Sequence, residues 1–261
     1  MTRKSTKYRF ENGRGQSLAA IIDTPETEPL FYSVFAPCFT CPKESHGAAK
    51  VSRALADLGI AALRFDMTGL GESEGDFAET NFTTRVADIL AACAAVEKDF
   101  ASPSLLIGHS ISGTASLAAA KSLPASIQAI ATIGAPADPA HIIEKFRRQN
   151  AITPRGDMVD IMVMGTKITF RSSFIDDLLA QDVGADTKAI TQRLFVFHAP
   201  HDNITPISDA RLIIERASEN AHGDCELIAL DEAATHLFEN RKEDANFVAA
   251  TLADWFRTHL K

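Results

Sequence analysis

Six short apolar runs are spread evenly along the chain and predict the strands of a central sheet. Each run is continuous rather than alternating, which is typical of strands that are buried on both faces. Near the N-terminus, residues 7–23 predict a hairpin with its turn at Asn12-Gly13 or between Gly13 and Gly15. The six runs are 30–37, 60–66, 104–110, 127–136, 193–200 and 225–231.

Between these runs, apolar residues recur at helical spacing, so strand and helix alternate along the chain. This order predicts an α/β fold with a mostly parallel sheet, right-handed crossovers and helices on both faces. We expect Thr205 and Pro206 to be the N-cap and first residue of one helix, and Asn240 with Glu243 to form a capping box for the last helix. The helical stripes lie at 51–58, 86–96, 207–217 and 248–259.

Residues 138–190 interrupt this alternation, because they contain no strong buried strand. Their pattern predicts a helix, a hairpin around Gly165 and Lys167, and a short helix. An insertion between two core strands would lie over the sheet edge, so we expect one domain over residues 1–261 with a cap at about 138–190. Two interpretations of its apolar residues stay open, namely an acyl pocket or packing of the cap on the body. These residues are Ile142, Phe146, Ile161, Met162, Met164, Ile168, Phe174 and Leu178.

Composition and charge narrow the class of protein. The chain has 261 residues, of which 46% are hydrophobic and 23% charged, with a net charge of -8. This charge would repel a polyanion, so we do not expect nucleic acid as a partner. The basic N-terminus has no apolar segment typical of an export signal, and no run approaches the 18 apolar residues of a membrane span. We therefore expect a cytoplasmic protein that does not enter the membrane.

A serine stands at the junction of a predicted strand and a small-residue helix. In the stretch SLLIGHSISG (104–113), Ser110 is flanked by Gly108 and Gly113, which allow the chain to turn sharply. A serine on such a turn projects its hydroxyl beyond the C-terminal edge of the sheet, beside free helix N–H groups. The alternative interpretation is an ordinary N-cap serine.

A serine nucleophile needs a base, and the base needs an orienting acid. Asp202 follows the run 193–200 and His236 follows the run 225–231, so both lie just past predicted strands. Since parallel strands end at one edge, we expect these side chains to meet Ser110 there. His201 is a competing base, and Asp231 or Glu232 is an alternative acid.

These motifs, taken in order, resemble an α/β-hydrolase from about residue 15 to the end. The segments on which this resemblance rests are GHSISG, RFDMTGLGESEG (64–75), HAPHDNITP and ATHLF. The chain looks most like the hydrolase domain that some bacterial proteins carry fused to an OsmC-like domain, on FAPCFTCPKES, DMTGLGESEGDFAETNF and ATIGAPADPAH, and its cap is similar to that of small cinnamoyl and acyl esterases. The resemblance implies that Ser110 is the nucleophile, His236 the general base and then acid, and Asp202 the orienting carboxylate.

Two positions depart from the family pattern. Ser112 stands where the second glycine of Gly-x-Ser-x-Gly belongs, and we expect a small strain there rather than a lost turn. Pro37-Cys38-Phe39 replaces the usual His-Gly-Phe of the oxyanion loop. Because this role needs only a backbone N–H, we expect the N–H groups of Phe39 and Ile111 to form the oxyanion hole.

The expected function is hydrolysis of a carboxylic ester, thioester or amide through an acyl-Ser110 intermediate, with no metal and no organic cofactor. The expected partner is a small-molecule ester, and a homodimer and an OsmC-like protein supplied in trans are further hypotheses. Without an export signal, the four cysteines are expected to be free thiols. Two alternatives stay open. One is a thiol-redox function of the Cys38-x-x-Cys41 pair, and the other is a binding protein that kept the fold and lost turnover.

Overall fold

The computed structural model describes residues 3–163, 166–219, 224–232, 234–236 and 242–259. Within this part, the chain alternates strands and helices as the apolar pattern predicts. The strands are β1 (Arg3–Glu11), β2 (Ser17–Pro25), β3 (Tyr32–Ala36), β4 (Ala61–Phe65), β5 (Pro103–His109), β6 (Ala129–Ile133), β7 (Ile152–Arg155), β8 (Met158–Val163), β9 (Thr166–Arg171), β10 (Arg193–His198) and β11 (Cys225–Ala229). The helices are α1 (His46–Asp57), α2 (Phe82–Asp99), α3 (Ile111–Ala119), α4 (Pro139–Arg148), α5 (Ser173–Leu179), α6 (Val183–Lys188), α7 (Ile207–Ser218) and α8 (Lys242–His259).

Eight strands form one sheet in the order β1-β2-β4-β3-β5-β6-β10-β11. The two N-terminal strands pair antiparallel, as the predicted hairpin requires, and β2 joins β4 antiparallel. All other pairs in this sheet are parallel. The registers bring the ends of the central strands level, because His109 and Phe197 both lie opposite Ile133. Residues that follow these strands therefore emerge at one edge.

Both faces of the central strands are buried, which explains their continuous apolar sequences. Along β10, Leu194 and Val196 pack in the core on one face, with α2, α3 and α7. Phe195 and Phe197 pack on the opposite face with α1 and α8. The edge strand β11 is an exception, since its residues are half-buried or exposed. The prediction that 225–231 is buried on both faces was wrong, because β11 has a neighbour on one side only.

The segment between β6 and β10 differs from the predicted helix, hairpin and short helix. It contains α4, an antiparallel sheet in the order β7-β8-β9, and two short helices, α5 and α6. The strand β7 was not predicted because it contains Pro154, which a sheet tolerates at an edge. Gly165, at the tip expected between β8 and β9, lies outside the described residues. We call this segment, Pro139–Lys188, the cap.

Three smaller expectations concern the ends of two helices and the absence of a membrane-spanning helix. Helix α7 begins after Pro206 as its N-cap, so the expected N-cap role of Thr205 was wrong. The backbone N–H of Thr205 instead donates to Asp202 Oδ1 at 2.9 Å, which draws this residue out of the helix. Asn240 of the expected capping box lies outside the described residues. None of the described helices is long and apolar enough to cross a membrane.

The expectation of four free thiols was also wrong, since Cys38 and Cys41 form a disulfide. A turn in which the N–H of Cys41 donates to the carbonyl of Cys38 places their Cα atoms 5.1 Å apart. This separation lies in the range that a disulfide requires. Cys93 and Cys225 are free, and burial chiefly raises the pKa of the Cys93 thiol to about 12.

Candidate active site

Ser110 occupies a sharp turn between β5 and α3. Its φ is 57° and its ψ is −130°, a conformation that non-glycine residues rarely adopt. A Cβ at Gly108 would lie 2.4 Å from the carbonyl oxygen of Ser112, so only glycine allows strand and helix to approach this closely. The Ser110 side chain makes no capping hydrogen bond to α3. The alternative interpretation as an ordinary N-cap was therefore wrong.

The structure brings Ser110, His236 and Asp202 together. Nε2 of His236 lies 2.9 Å from Oγ of Ser110, and Nδ1 of His236 lies 2.6 Å from Oδ2 of Asp202. The side chains of His236 and Asp202 are 5% and 1% exposed, so their contact is sheltered from water. The competing base His201 and the alternative acids Asp231 and Glu232 are exposed, and the acid that contacts His236 is Asp202.

The carboxylate of Asp202 is held on both of its oxygens. Oδ1 accepts hydrogen bonds from the backbone N–H groups of Ile204 and Thr205 at 2.8 and 2.9 Å, and Oδ2 faces His236. Burial would raise the pKa of Asp202, but these hydrogen bonds and the nearby imidazole together lower it below its ordinary value. Asp202 is therefore ionised at neutral pH and able to hold a proton on Nδ1 of His236.

Two buried histidines that the sequence did not assign to the site support its loops. Nε2 of His109 lies 2.6 Å from the carbonyl oxygen of His236, and Nε2 of His198 lies 2.8 Å from the carbonyl oxygen of Thr205. Burial is the largest cause that lowers the pKa of both rings, that of His109 to about 3. At neutral pH both rings are uncharged, so each can donate one N–H to the carbonyl oxygen that it faces.

The two expected oxyanion donors lie beside Ser110. Ile111 is the first residue of α3, and Phe39 belongs to the loop after β3. Neither backbone N–H has a protein acceptor among the described residues. Both residues line the same cavity as Ser110. Ser112, which stands in place of the second glycine of the family pattern, is fully buried. Its hydroxyl donates to the carbonyl oxygen of Pro37, and the sharp turn is retained.

An apolar cavity of about 90 Å³ lies between Ser110 and the cap. Five of the apolar cap residues singled out in the sequence line it, which supports the pocket interpretation for them. Of the other three, Met162 is 45% exposed, Ile168 is buried away from the cavity, and Met164 lies outside the described residues. The lining residues are Phe39, Ser110, Ile111, Ile142, Ile143, Phe146, Ile161, Phe170, Phe174, Leu178 and Ile204.

No group of side chains with the composition of a metal site occurs in the part of the chain that the structure describes. The cavity lining likewise offers no ionisable side chain that could hold a charged cofactor. The groups that the structure places together for chemistry at this cavity are the Ser110 hydroxyl, the imidazole of His236 and the carboxylate of Asp202.

Comparison with known proteins identifies the family. The family Hydrolase_4, described as "Serine aminopeptidase, S33", matches residues 43–176, about half of the chain. The chain belongs to this family of α/β-hydrolases. The predicted fold class is thereby confirmed. No curated protein matches the chain by sequence.

Solved structures of esterases resemble this α/β-hydrolase along nearly its whole length. The esterase domain of a Rhodothermus marinus protein is 36% identical, with a TM-score of 0.77 and coverage of 100% of both chains. Est1E from Butyrivibrio proteoclasticus with bound ferulic acid is 19% identical, with a TM-score of 0.76 and coverage of 97% and 99%. The Pyrococcus furiosus esterase Pf2001 is 14% identical, with a TM-score of 0.72 and coverage of 99% and 92%. The last two show the fold alone. Together with the family, the Rhodothermus marinus esterase domain supports a carboxylic ester hydrolase.

Proposed function

We propose that this α/β-hydrolase cleaves carboxylic esters through an acyl-Ser110 intermediate. The observation that carries the proposal is the continuous contact from Asp202 through His236 to Ser110, with distances of 2.6 and 2.9 Å. The ionised Asp202 keeps the proton of His236 on Nδ1. Nε2 is then free to accept the proton of the Ser110 hydroxyl.

The reaction follows from these positions. Oγ of Ser110 attacks the ester carbonyl carbon while His236 takes its proton, and the carbonyl electron pair moves onto oxygen. The backbone N–H groups of Phe39 and Ile111 bind this oxyanion, each contributing roughly 3–4 kcal/mol to transition-state stability. The bond to the alcohol then breaks, and His236 gives the alcohol its proton. Water then attacks the acyl carbon while His236 takes its proton, and the bond to Oγ of Ser110 breaks as His236 returns a proton to Oγ, which releases the acid.

The cavity favours a short, uncharged acyl group. A cavity of about 150 Å³ accommodates benzene, so one of about 90 Å³ holds roughly three or four carbon atoms. The aromatic ring of ferulic acid, which Est1E binds, exceeds this space. We therefore infer a preference for acetyl to butyryl esters over hydroxycinnamoyl esters, in contrast to the cinnamoyl esterases that the cap resembles.

An aminopeptidase reaction, which the family description suggests, fits this site less well. An aminopeptidase substrate carries an α-ammonium group that must be desolvated at the site, and a buried charge needs a partner. The lining of the cavity contains no carboxylate. We expect p-nitrophenyl acetate to be cleaved much faster than an aminoacyl p-nitroanilide, and the reverse order would favour the peptidase.

Kinetics of three variants test the proposal. Ser110→Ala and His236→Ala should each lower turnover of p-nitrophenyl acetate by at least about 10³-fold, because each removes a member of one catalytic unit. His201→Ala is the matched control, since this exposed histidine adjoins Asp202 without contacting Ser110. Folded Ser110→Ala protein with wild-type turnover would refute the proposal.

A fourth variant and a covalent probe test the two alternatives that the sequence leaves open. If Cys38→Ser abolished activity while Ser110→Ala did not, the thiol-redox function would replace the hydrolase. If a fluorophosphonate probe failed to label the folded protein, a binding protein without turnover would replace it. An OsmC-like partner, a homodimer and a cytoplasmic location stay predictions.

A further inference from the structure

A buried arginine holds the loop that follows β3. Nη2 of Arg85 donates to the carbonyl oxygen of Phe39 at 2.6 Å, and Nη1 donates to Oγ of Ser112 at 2.8 Å. The Ser112 hydroxyl in turn donates to the carbonyl oxygen of Pro37. One guanidinium on α2 therefore fixes two carbonyl groups of this loop, one directly and one through α3.

These two carbonyls flank the peptide unit that carries the Phe39 N–H. A peptide unit is planar, so fixing a carbonyl fixes the plane of its whole unit. The units that begin at Pro37 and at Phe39 are both held, and the unit between Cys38 and Phe39 lies between them. With both neighbouring units held, the Phe39 N–H can change direction only by compensating rotations about ψ of Cys38 and φ of Phe39.

The burial of Arg85 indicates that this contact has a purpose beyond packing. Arg85 is 5% exposed, and the hydrogen bonds of its guanidinium to described residues go to the Phe39 carbonyl and the Ser112 hydroxyl rather than to a carboxylate. Burying a cation in this way costs stability unless its donors are well used. Burial lowers the pKa of Arg85 to about 10, against the opposing effect of Asp88, so the guanidinium stays charged at neutral pH. Its centre also lies 5.6 Å from the centroid of the Phe39 ring.

We propose that Arg85 and Ser112 are positioning residues that aim the Phe39 N–H at the oxyanion that forms on the substrate's carbonyl oxygen when Ser110 attacks. This inference rests on the proposed function. It connects the two departures from the family pattern, because the serine in place of glycine holds the loop in which Pro37-Cys38 replaces His-Gly. The hydroxyl of Ser112 thus supplies a constraint that a glycine at this position could not.

Kinetics and inhibitor binding test this role with Ser112→Ala, Arg85→Met and Arg85→Lys. Loss of a donor that acts only in the transition state lowers kcat and leaves KM nearly unchanged. We expect Ser112→Ala and Arg85→Met to lower kcat for p-nitrophenyl acetate by about 10- to 100-fold, which is part of the loss seen when an oxyanion donor is removed. Arg85→Lys should recover part of the loss, since lysine keeps the charge and N–H donors but lacks the planar fork that reaches both acceptors.

A pair of ketones separates positioning from packing. Oγ of Ser110 adds to the carbonyl carbon of a trifluoromethyl ketone, which places an oxyanion in the oxyanion hole. The matching methyl ketone binds without this addition. In the variants, the affinity for the trifluoromethyl ketone should fall by the same factor as kcat, and the affinity for the methyl ketone should not change. Ser116→Ala is the matched control, because Ser116 is a buried serine of α3 whose hydroxyl donates to the carbonyl oxygen of Ser112 and not to the loop.

Two results would overturn the inference. One is folded Ser112→Ala protein with wild-type kcat and wild-type affinity for the trifluoromethyl ketone, which decides the case even if Arg85→Met does not fold. The other is equal weakening of both ketones, which would assign the residues to packing of the cavity. The proposed function fails separately, through a Ser110→Ala protein that retains turnover.

Discussion

Replacing Leu178 with alanine should lengthen the acyl chain that the enzyme prefers. Leu178 lines the cavity beside Ser110 and is 4% exposed. The substitution removes an isopropyl group from the wall. On the scale of benzene in its cavity of about 150 Å³, this adds room for roughly three acyl carbon atoms.

The size of the effect follows from the burial of methylene groups. Each buried methylene contributes about 0.8 kcal/mol, or roughly fourfold in kcat/KM when the group is buried in the transition state. From butyrate to hexanoate the acyl chain gains two methylenes. The ratio of kcat/KM for hexanoate to that for butyrate should therefore rise about 15-fold over the wild type.

The assay is a series of p-nitrophenyl esters from acetate to octanoate, with thermal unfolding measured on the same samples. The variant should also lose about 2–5 kcal/mol of stability, so the assay temperature must lie below its transition. Leu179→Ala is the control, because Leu179 is the next residue of α5, is 43% exposed and does not line the cavity. An unchanged hexanoate-to-butyrate ratio, or an equal rise in Leu179→Ala, would refute the assignment of this cavity to the acyl group.

Two further predictions concern the support of the site. In Gly134→Ala, a Cβ would lie 3.1 Å from Nδ1 of His236 and 3.2 Å from Oδ2 of Asp202, at a φ of +57°, so kcat should fall about tenfold. Gly156→Ala is the control, because Gly156 has a φ of +68° and no neighbour within 4 Å of the added Cβ. This control should keep wild-type kcat and lose only stability. His109→Gln should reduce the pH dependence of the free energy of unfolding in acid. The pKa of His109 is about 3 in the folded protein and about 6.5 in the unfolded chain, so only the unfolded chain gains a proton as the pH falls below 6.5. This proton uptake lowers the free energy of unfolding of the wild type by about 1.4 kcal/mol per pH unit. Urea unfolding between pH 6.5 and 4.5 measures this slope, and equal slopes in wild type and variant would contradict it.

The sequence predicts the sheet and the meeting of Ser110, Asp202 and His236 because both depend on local signals. Continuous apolar runs define the strands. Ser110 ends one such run, and Asp202 and His236 follow two others. Parallel pairing then brings the ends of the runs to one edge. These inferences need only the order of elements along the chain and no knowledge of individual contacts.

Elements that depend on neighbours distant in sequence were not predicted. The contact from Arg85 to Ser112 and Phe39 joins three elements, and no spacing along the chain indicates it. The exposure of β11 depends on its place at the sheet edge rather than on its apolar sequence. A local signal does mark the hairpin of β7 and β8: Gly156, with a φ of +68°, lies in the turn between these strands.

The central claim is that Ser110 carries the acyl group during turnover. The most direct test treats the protein with p-nitrophenyl dimethylcarbamate, whose carbamoyl-enzyme hydrolyses slowly, and then maps the modified residue by mass spectrometry. We expect one p-nitrophenol released per chain and the carbamoyl group on Ser110, with neither in His236→Ala. A carbamoyl group on a residue other than Ser110, or stoichiometric release from Ser110→Ala, would contradict the account.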